Sequence, residues 1–194
     1  MITDPVRLLT EVAEILERCG VPYAVGGSVA SSRYGEFRAT NDIDIGVDLT
    51  FGTLRPLHAA LAGKFYVDFD AMLDAFQRAS SFSVIHLELV LKIDFFVLGQ
   101  GLFERSMLAR RAALTLSPDA ARAVAFVSAE DIILQKLRWY RLSEGALERQ
   151  LRDVAGVYKL QGARLDLAYM RRMATSIGLS DLLEKSLRDA GLPG

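Results

Sequence analysis

The sequence contains few of the residues from which disulfides and zinc sites are built. Its single cysteine, Cys19, excludes a disulfide within the chain. The two histidines, His58 and His86, are far apart, which argues against a zinc centre. No apolar run reaches the roughly 18 residues that a membrane-spanning helix needs. Residues 1–7 lack the basic and then apolar pattern of a signal peptide. We therefore expect a cytoplasmic protein that has no membrane partner.

The chain also lacks an excess of charge of one sign, with 23 basic residues against 24 acidic ones. Proteins that coat nucleic acid usually carry a clear basic surplus, so the composition argues against that class. A local basic patch on a near-neutral protein can still bind a nucleic-acid substrate. Apolar residues make up 51% of the 194 positions, which is enough for the core of one domain with a helical appendage.

Hydrophobic periodicity divides the chain into a mixed part and a helical part. In the first part we expect helices at residues 4–20, 28–34, 54–62 and 70–79, and strands at 23–25, 43–47, 82–86, 92–97, 112–116 and 123–127. In the second part we expect helices at residues 129–143, 149–160, 167–177 and 180–190. The prediction is an α/β (α+β) fold, in which residues 1–127 form a small mixed sheet flanked by helices. Residues 128–194 form a C-terminal helical region packed on that domain.

Two aspartates alternate with isoleucines in the segment Asp42-Ile43-Asp44-Ile45. Side chains in a strand point to alternating faces, so both carboxylates lie on one face and both isoleucines on the other. Adjacent carboxylates repel each other, and a divalent cation removes that conflict. Magnesium prefers such hard oxygen ligands. The alternative is an exposed strand with a polar face, and the segment alone favours a metal site only weakly.

A third aspartate, Asp94, interrupts the apolar segment 93–97. Burying a carboxylate in such a strand is costly unless it has a partner. If this strand lies beside the strand of Asp42 and Asp44, Asp94 completes a cluster of three carboxylates. The alternative is an ion pair between Asp94 and Lys92 or a neighbouring arginine.

Gly26-Gly27-Ser28 separates a predicted buried strand from a predicted short helix. Glycines allow a phosphate to approach the backbone, and the start of a helix offers free N–H groups and the positive end of its dipole. The turn is neither a Walker A loop nor a dinucleotide-binding fingerprint, because it lacks the lysine of the first and the glycine spacing of the second. By itself such a turn is common.

The order of these features is more informative than any one of them. Their order resembles that of the nucleotidyltransferase superfamily that includes DNA polymerase beta. The order is a strand, Gly26-Gly27-Ser28, a helix, Asp42-x-Asp44 and a later Asp94. Small bacterial nucleotidyltransferases of the AbiEii toxin type are closer in detail. The segments that carry this closer resemblance are Ala24-Val25-Gly26-Gly27, Arg38-Ala39-Thr40-Asn41-Asp42-Ile43-Asp44, Glu130-Asp131 and Lys136-Leu137.

The resemblance implies that Asp42, Asp44 and Asp94 bind two magnesium ions and carry the catalysis. It also implies that a nucleoside triphosphate is the substrate, and that its triphosphate is bound by Gly26, Gly27, Ser28 and Lys136. The nucleotidyl group then passes to an acceptor hydroxyl, which can belong to an RNA end such as that of transfer RNA, to a protein or to a small molecule. A toxin of this type implies a cognate antitoxin. Toxins of this type also carry a lysine and an aspartate in their helical half, and the candidates for these residues here are Lys136 and Asp153.

Several alternatives remain open at this stage. The chain can be a nucleotide-binding or partner-binding protein that retains the fold without catalysis. Asp-Ile-Asp also occurs as the metal motif of nucleotide-sugar glycosyltransferases, although those enzymes usually have a longer region before it. Lys92, Arg33 and Arg38 are further candidates for contacts with phosphate or acceptor.

Overall fold

The computed structural model describes residues 4–37, 40, 42–116 and 122–192. Within these residues there are seven strands and nine α-helices, together with one short 3-10 turn at Gly162–Arg164. The strands are β1 (Tyr23–Val25), β2 (Ile43–Val47), β3 (Phe65–Tyr66), β4 (Ser81–His86), β5 (Lys92–Val97), β6 (Ala112–Thr115) and β7 (Ala123–Phe126). The helices are α1 (Asp4–Arg18), α2 (Gly27–Tyr34), α3 (Phe51–Leu61), α4 (Phe69–Arg78), α5 (Leu102–Arg110), α6 (Ala129–Leu142), α7 (Glu148–Gln161), α8 (Leu167–Ser176) and α9 (Ser180–Asp189).

All seven strands belong to one mixed sheet in the order β3-β4-β5-β2-β1-β7-β6. The pairs β2–β5 and β1–β7 are parallel, and the other pairs are antiparallel. The strands expected at 82–86 and 92–97 are present as β4 and β5, and they pair with each other. The strands expected at 112–116 and 123–127 are present as β6 and β7, which also pair with each other, and residues 117–121 between them lie outside the described residues.

One face of this sheet forms the hydrophobic core of its unit. On β2 the isoleucines and Val47 are buried, whereas Asp44 and Gly46 on the opposite face are partly exposed. The same alternation runs along β5, where Ile93, Phe95 and Val97 are buried. Helix α1 packs against β7 and α3, and α4 packs against α3 and β4. The apolar period of two therefore buries one face and leaves the aspartates on the other.

The chain forms two compact units that are interleaved in sequence. Unit 1 comprises the described parts of Met1–Gly26, Thr40–Gln100 and Arg111–Phe126, and it contains the whole sheet with α1, α3 and α4. Unit 2 comprises the described parts of Gly27–Ala39, Gly101–Arg110 and Val127–Gly194, and it contains the remaining helices. The sequence-based division places a single boundary at residue 127, and that division stays a prediction.

Two elements were not expected from the sequence. Strand β3 has two residues, which is too short for an alternation to be recognised. Helix α5 buries only Phe103 and Met107 among its described residues, and two apolar positions are too few to give a recognisable helical periodicity. Helix α3 also begins at Phe51, earlier than expected, where Thr50 and Thr53 form a capping box. No helix among the described residues is both long and apolar enough to cross a membrane.

Replacing Gly35 with alanine is expected to destabilise unit 2. A Cβ atom at this position would lie 2.8 Å from the carbonyl carbon of Gly156 and 2.8 Å from the nitrogen of Val157. Both are backbone atoms of α7, so the helix itself must shift. We expect Gly35→Ala to lower the free energy of unfolding by about 1–3 kcal/mol, as overpacking of a close contact does.

Denaturant unfolding followed by circular dichroism measures this loss. Gly63→Ala is the matched control, because a Cβ atom there would meet nothing within 4 Å. An unfolding midpoint of Gly35→Ala equal to that of Gly63→Ala would show that α2 and α7 do not approach as closely as described.

Candidate active site

The parallel pairing of β2 and β5 places Asp44 directly opposite Asp94. Neighbouring strands lie about 4.8 Å apart, so the two side chains project side by side from the same face of the sheet. Asp42 is exposed and lies one residue before β2, and its charge acts on Lys92 together with those of Asp44 and Asp94. The structure thus brings Asp44 and Asp94 together on the face opposite the core, although they are distant in sequence.

Lys92 lies on the same face and forms an ion pair with Asp94, with 2.7 Å between Nζ and Oδ2. The hydroxyl of Ser83 donates a hydrogen bond to the other oxygen, Oδ1. The hydrogen bond with Asp94 raises the pKa of Lys92; desolvation opposes this rise, and the negative charges of Asp94, Asp42 and Asp44 add to it. The ammonium group of Lys92 therefore lies within the electrostatic field of all three carboxylates.

This ion pair is also the alternative that the sequence left open for Asp94. Within the described parts of the chain, no three His, Cys, Asp or Glu side chains are gathered closely enough to hold a metal ion by themselves. Magnesium commonly takes one or two protein carboxylates and completes its shell with water and substrate phosphates. Asp44 and Asp94, with Asp42 beside them, are therefore a donor set that fits magnesium without a closed protein cage.

The glycine turn is tied to the strand of the acidic pair. The N–H group of Gly26 donates to the carbonyl oxygen of Asp44 over 2.9 Å. Gly27 follows with a φ of 57°, a left-handed conformation that glycine adopts without strain. Helix α2 starts at this residue. The turn is thus held against the β2 backbone by Gly26 and changes direction at Gly27.

In unit 2, Lys136 on α6 and Asp153 on α7 form a buried ion pair. Lys136 Nζ lies 2.7 Å from Asp153 Oδ2, and the two side chains are 7% and 10% exposed. The Ser31 hydroxyl of α2 lies 3.4 Å from the same carboxylate oxygen and 3.1 Å from the carbonyl oxygen of Ser28. Lys136 and Asp153, which the family resemblance suggested, therefore lie together. Ser31 connects Asp153 to Ser28, the residue that follows the two glycines.

The Glu130-Asp131 segment lies in a different polar network of unit 2. Asp131 is fully buried and accepts hydrogen bonds from Tyr169 at 2.6 Å and from Ser128 at 2.9 Å. Arg110 lies over the ring of Tyr169 and forms an ion pair with Glu130. Burial raises the pKa of Asp131, and both hydrogen bonds oppose that rise. This network joins α5, α6 and α8, which indicates a role in helix packing.

Sequence reasoning missed Ser83 and Ser31. Ser83 lies at a polar position of an alternating strand, and the hairpin register places it directly opposite Asp94. The hairpin pattern would therefore have found Ser83 once the register was known. Ser31 had no such signal, because its partner Asp153 is 122 residues away. Arg33 lies exposed in the last turn of α2, and Arg38 lies outside the described residues.

The chain has the nucleotidyltransferase fold: a mixed sheet flanked by helices, with Asp44 on β2 opposite Asp94 on the adjoining parallel strand. Solved structures with this fold are similar to the chain. The solution structure of the antibiotic-resistance factor ANT(2'')-Ia matches 97% of this chain and 100% of its own, with a TM-score of 0.59 and 15% sequence identity. Its crystal structure in complex with adenylyl-2''-tobramycin matches 90% of this chain and 98% of its own, with a TM-score of 0.57 and 16% sequence identity.

An antigenic nucleotidyltransferase-like protein from Paracoccidioides brasiliensis matches 88% of this chain and 90% of its own, with a TM-score of 0.52 and 16% identity. No protein-family model matches the sequence, and no curated protein matches it. At these identities the similarity establishes the fold. The predicted fold class is confirmed, and the closer resemblance to AbiEii-type toxins stays a prediction.

Proposed function

We propose that the protein is a magnesium-dependent nucleotidyltransferase that transfers a nucleoside monophosphate from a nucleoside triphosphate to an acceptor hydroxyl. The observation that carries this proposal is the register of Asp44 opposite Asp94 on adjacent parallel strands, with Asp42 two residues before Asp44. Three acids gathered at a partly exposed face of the sheet are unfavourable as a structural device, because they repel one another. As ligands of divalent cations they acquire a chemical role.

In this proposal Asp42, Asp44 and Asp94 hold magnesium. When bound, the metal neutralises charge at the attacking and leaving oxygens of an in-line displacement. Asp94 lies beside Ser83 and can accept a proton from the acceptor hydroxyl. The triphosphate-binding residues are Gly26, Gly27, Ser28 and Lys136. Lys136 is suited to this role because Asp153 holds its ammonium group in place within unit 2.

The direct test supplies the purified protein with magnesium and each of the four radiolabelled nucleoside triphosphates. Separate reactions contain transfer RNA, a cell protein extract, or a set of small hydroxyl compounds that includes aminoglycosides. Aminoglycosides are included because ANT(2'')-Ia has been crystallised with adenylyl-2''-tobramycin. We expect label in one acceptor fraction and release of pyrophosphate, both abolished by chelation of the metal. Binding of triphosphate without transfer to any fraction would count against catalysis.

A toxin with a cognate antitoxin is the more specific form of the proposal, and it rests on the AbiEii resemblance. Induced expression in a bacterial host is expected to stop growth, and co-expression of an adjacent gene product is expected to restore it. An inactive Asp94→Asn variant serves as the control. Normal growth with the wild-type protein, at matched protein level, would remove the toxin role and leave the transferase proposal intact.

The second candidate is a nucleotide-binding or partner-binding protein without catalysis. It is favoured by one observation: Lys92 and Ser83 already occupy the two oxygens of Asp94. Calorimetry with triphosphate and magnesium separates the candidates when combined with the transfer assay. Binding without turnover supports the second candidate, whereas metal-dependent turnover excludes it.

A further inference from the structure

The acidic face of the sheet carries its own cation. Among the described residues that share this face on β2, β5 and β4, Lys92 is the single basic side chain. Besides the two aspartates, the other residues on this face are Gly46, Phe96, Ser81, Ser83 and Ile85. Lys92 is therefore the basic group of these three strands placed to offset the charges of Asp44 and Asp94.

The ammonium group of Lys92 occupies the position beside Asp94 that a bound metal ion would need. Lys92 Nζ lies 2.7 Å from Asp94 Oδ2, and Ser83 binds Oδ1. A divalent cation that binds Asp94 must compete with an ammonium group for a carboxylate oxygen. The side chain of Lys92 is 47% exposed and that of Asp94 is 19% exposed, so the lysine has open solvent on one side while the carboxylate is held.

We propose that Lys92 is a resident counter-ion, which stabilises the metal-free carboxylate cluster and is displaced from Asp94 when a divalent cation binds. This inference rests on the proposed function, since it requires that Asp94 be a metal ligand. The flexible four-carbon stem of lysine allows its ammonium group to leave while Ser83 keeps the carboxylate oriented. Lys92 therefore lowers the affinity for the metal and suppresses carboxylate repulsion in its absence.

The test measures binding of Mn²⁺ to the protein by electron paramagnetic resonance of the free ion, without any substrate. Removing a unit charge next to a divalent-cation site is expected to tighten binding on the order of tenfold in Lys92→Met. Lys92→Arg keeps the charge and is expected to bind Mn²⁺ within about threefold of the wild type. Lys64→Met is the matched control, because Lys64 pairs with Glu11 elsewhere in unit 1.

A second measurement guards against a variant that merely folds poorly. Without metal, Lys92→Met is expected to melt at a lower temperature than the wild type, and Mn²⁺ is expected to raise its melting temperature by more than that of the wild type. Lys64→Met should show no such metal-dependent gain. A folded Lys92→Met protein with unchanged or weaker Mn²⁺ binding would overturn the inference.

Asp94→Asn separates this inference from the proposed function. If the wild type and Asp94→Asn bind Mn²⁺ equally, Asp94 is not a ligand, and both the inference and the metal assignment are wrong. If Asp94→Asn loses Mn²⁺ binding while Lys92→Met binds as the wild type does, the metal site is supported and the counter-ion role alone is refuted.

Discussion

Asp44→Asn is expected to lower the rate of nucleotide transfer by about 10²-fold or more while leaving the protein folded. Asparagine has nearly the same shape as aspartate but no charge, so the strand and its register with Asp94 are retained. The loss falls on metal binding, and removing one metal carboxylate costs several kcal/mol of transition-state stabilisation. Pyrophosphate release under saturating triphosphate and magnesium measures the effect.

Asp74→Asn is the matched control for this substitution. Asp74 is exposed on α4 and pairs with Arg78 one helical turn away, a surface pair that contributes at most about 1 kcal/mol. We expect it to retain transfer activity within a factor of about two. Activity of Asp44→Asn equal to that of Asp74→Asn would show that the carboxylate face is not the catalytic surface.

Lys136→Met is expected to produce the largest loss of stability. The substitution removes the ammonium group that lies 2.7 Å from the buried carboxylate of Asp153, and breaking a buried ion pair from one side typically costs about 3–5 kcal/mol. For a chain of this size each kcal/mol lowers the melting temperature by about 2–4 °C, so we expect a fall of roughly 10 °C. Thermal unfolding followed by far-ultraviolet circular dichroism measures it.

A double variant separates stability from function at this position. Replacing both partners, as Lys136→Met with Asp153→Leu, also removes the buried carboxylate and is expected to recover most of the lost stability. Triphosphate binding should remain weak in the double variant, because the ammonium group is absent. Lys185→Met on the exposed side of α9 is the control and should change the free energy of unfolding by less than about 0.5 kcal/mol. A double variant with wild-type triphosphate affinity would exclude Lys136 from phosphate binding.

The two halves of the candidate site differ in how far the sequence anticipated them. The alternation around Asp42 and Asp44 and the apolar segment around Asp94 are local signals. In a strand, alternate residues share a face, so neighbouring positions alone determine which side chains lie together. That the two strands are neighbours is not local, since two helices (α3 and α4) and two strands (β3 and β4) lie between them along the chain. The resemblance supplied that adjacency as an expectation, and the parallel register shows it directly.

The contacts of individual polar side chains were less accessible to sequence reasoning. The sequence offered metal binding and an ion pair with Lys92 as alternatives for Asp94, and the structure contains the ion pair. Lys136 and Asp153 were suggested by resemblance alone, and their contact depends on how α6 packs against α7. Ser31 had no signal, because hydroxyl partners distant in sequence leave no periodicity.

By itself, the sequence determined the period of each main element, the positions where most helices begin or end, and the placement of Asp44 and Asp94 on polar faces of apolar strands. These properties depend on residues within a few positions of one another, where steric preference and burial act directly. Tertiary structure alone decided the strand order, the interleaving of the two units, and the partners of Asp94 and Lys136. Those features follow from packing between distant segments, and the free energy of that packing cannot be deduced from any local pattern of residues.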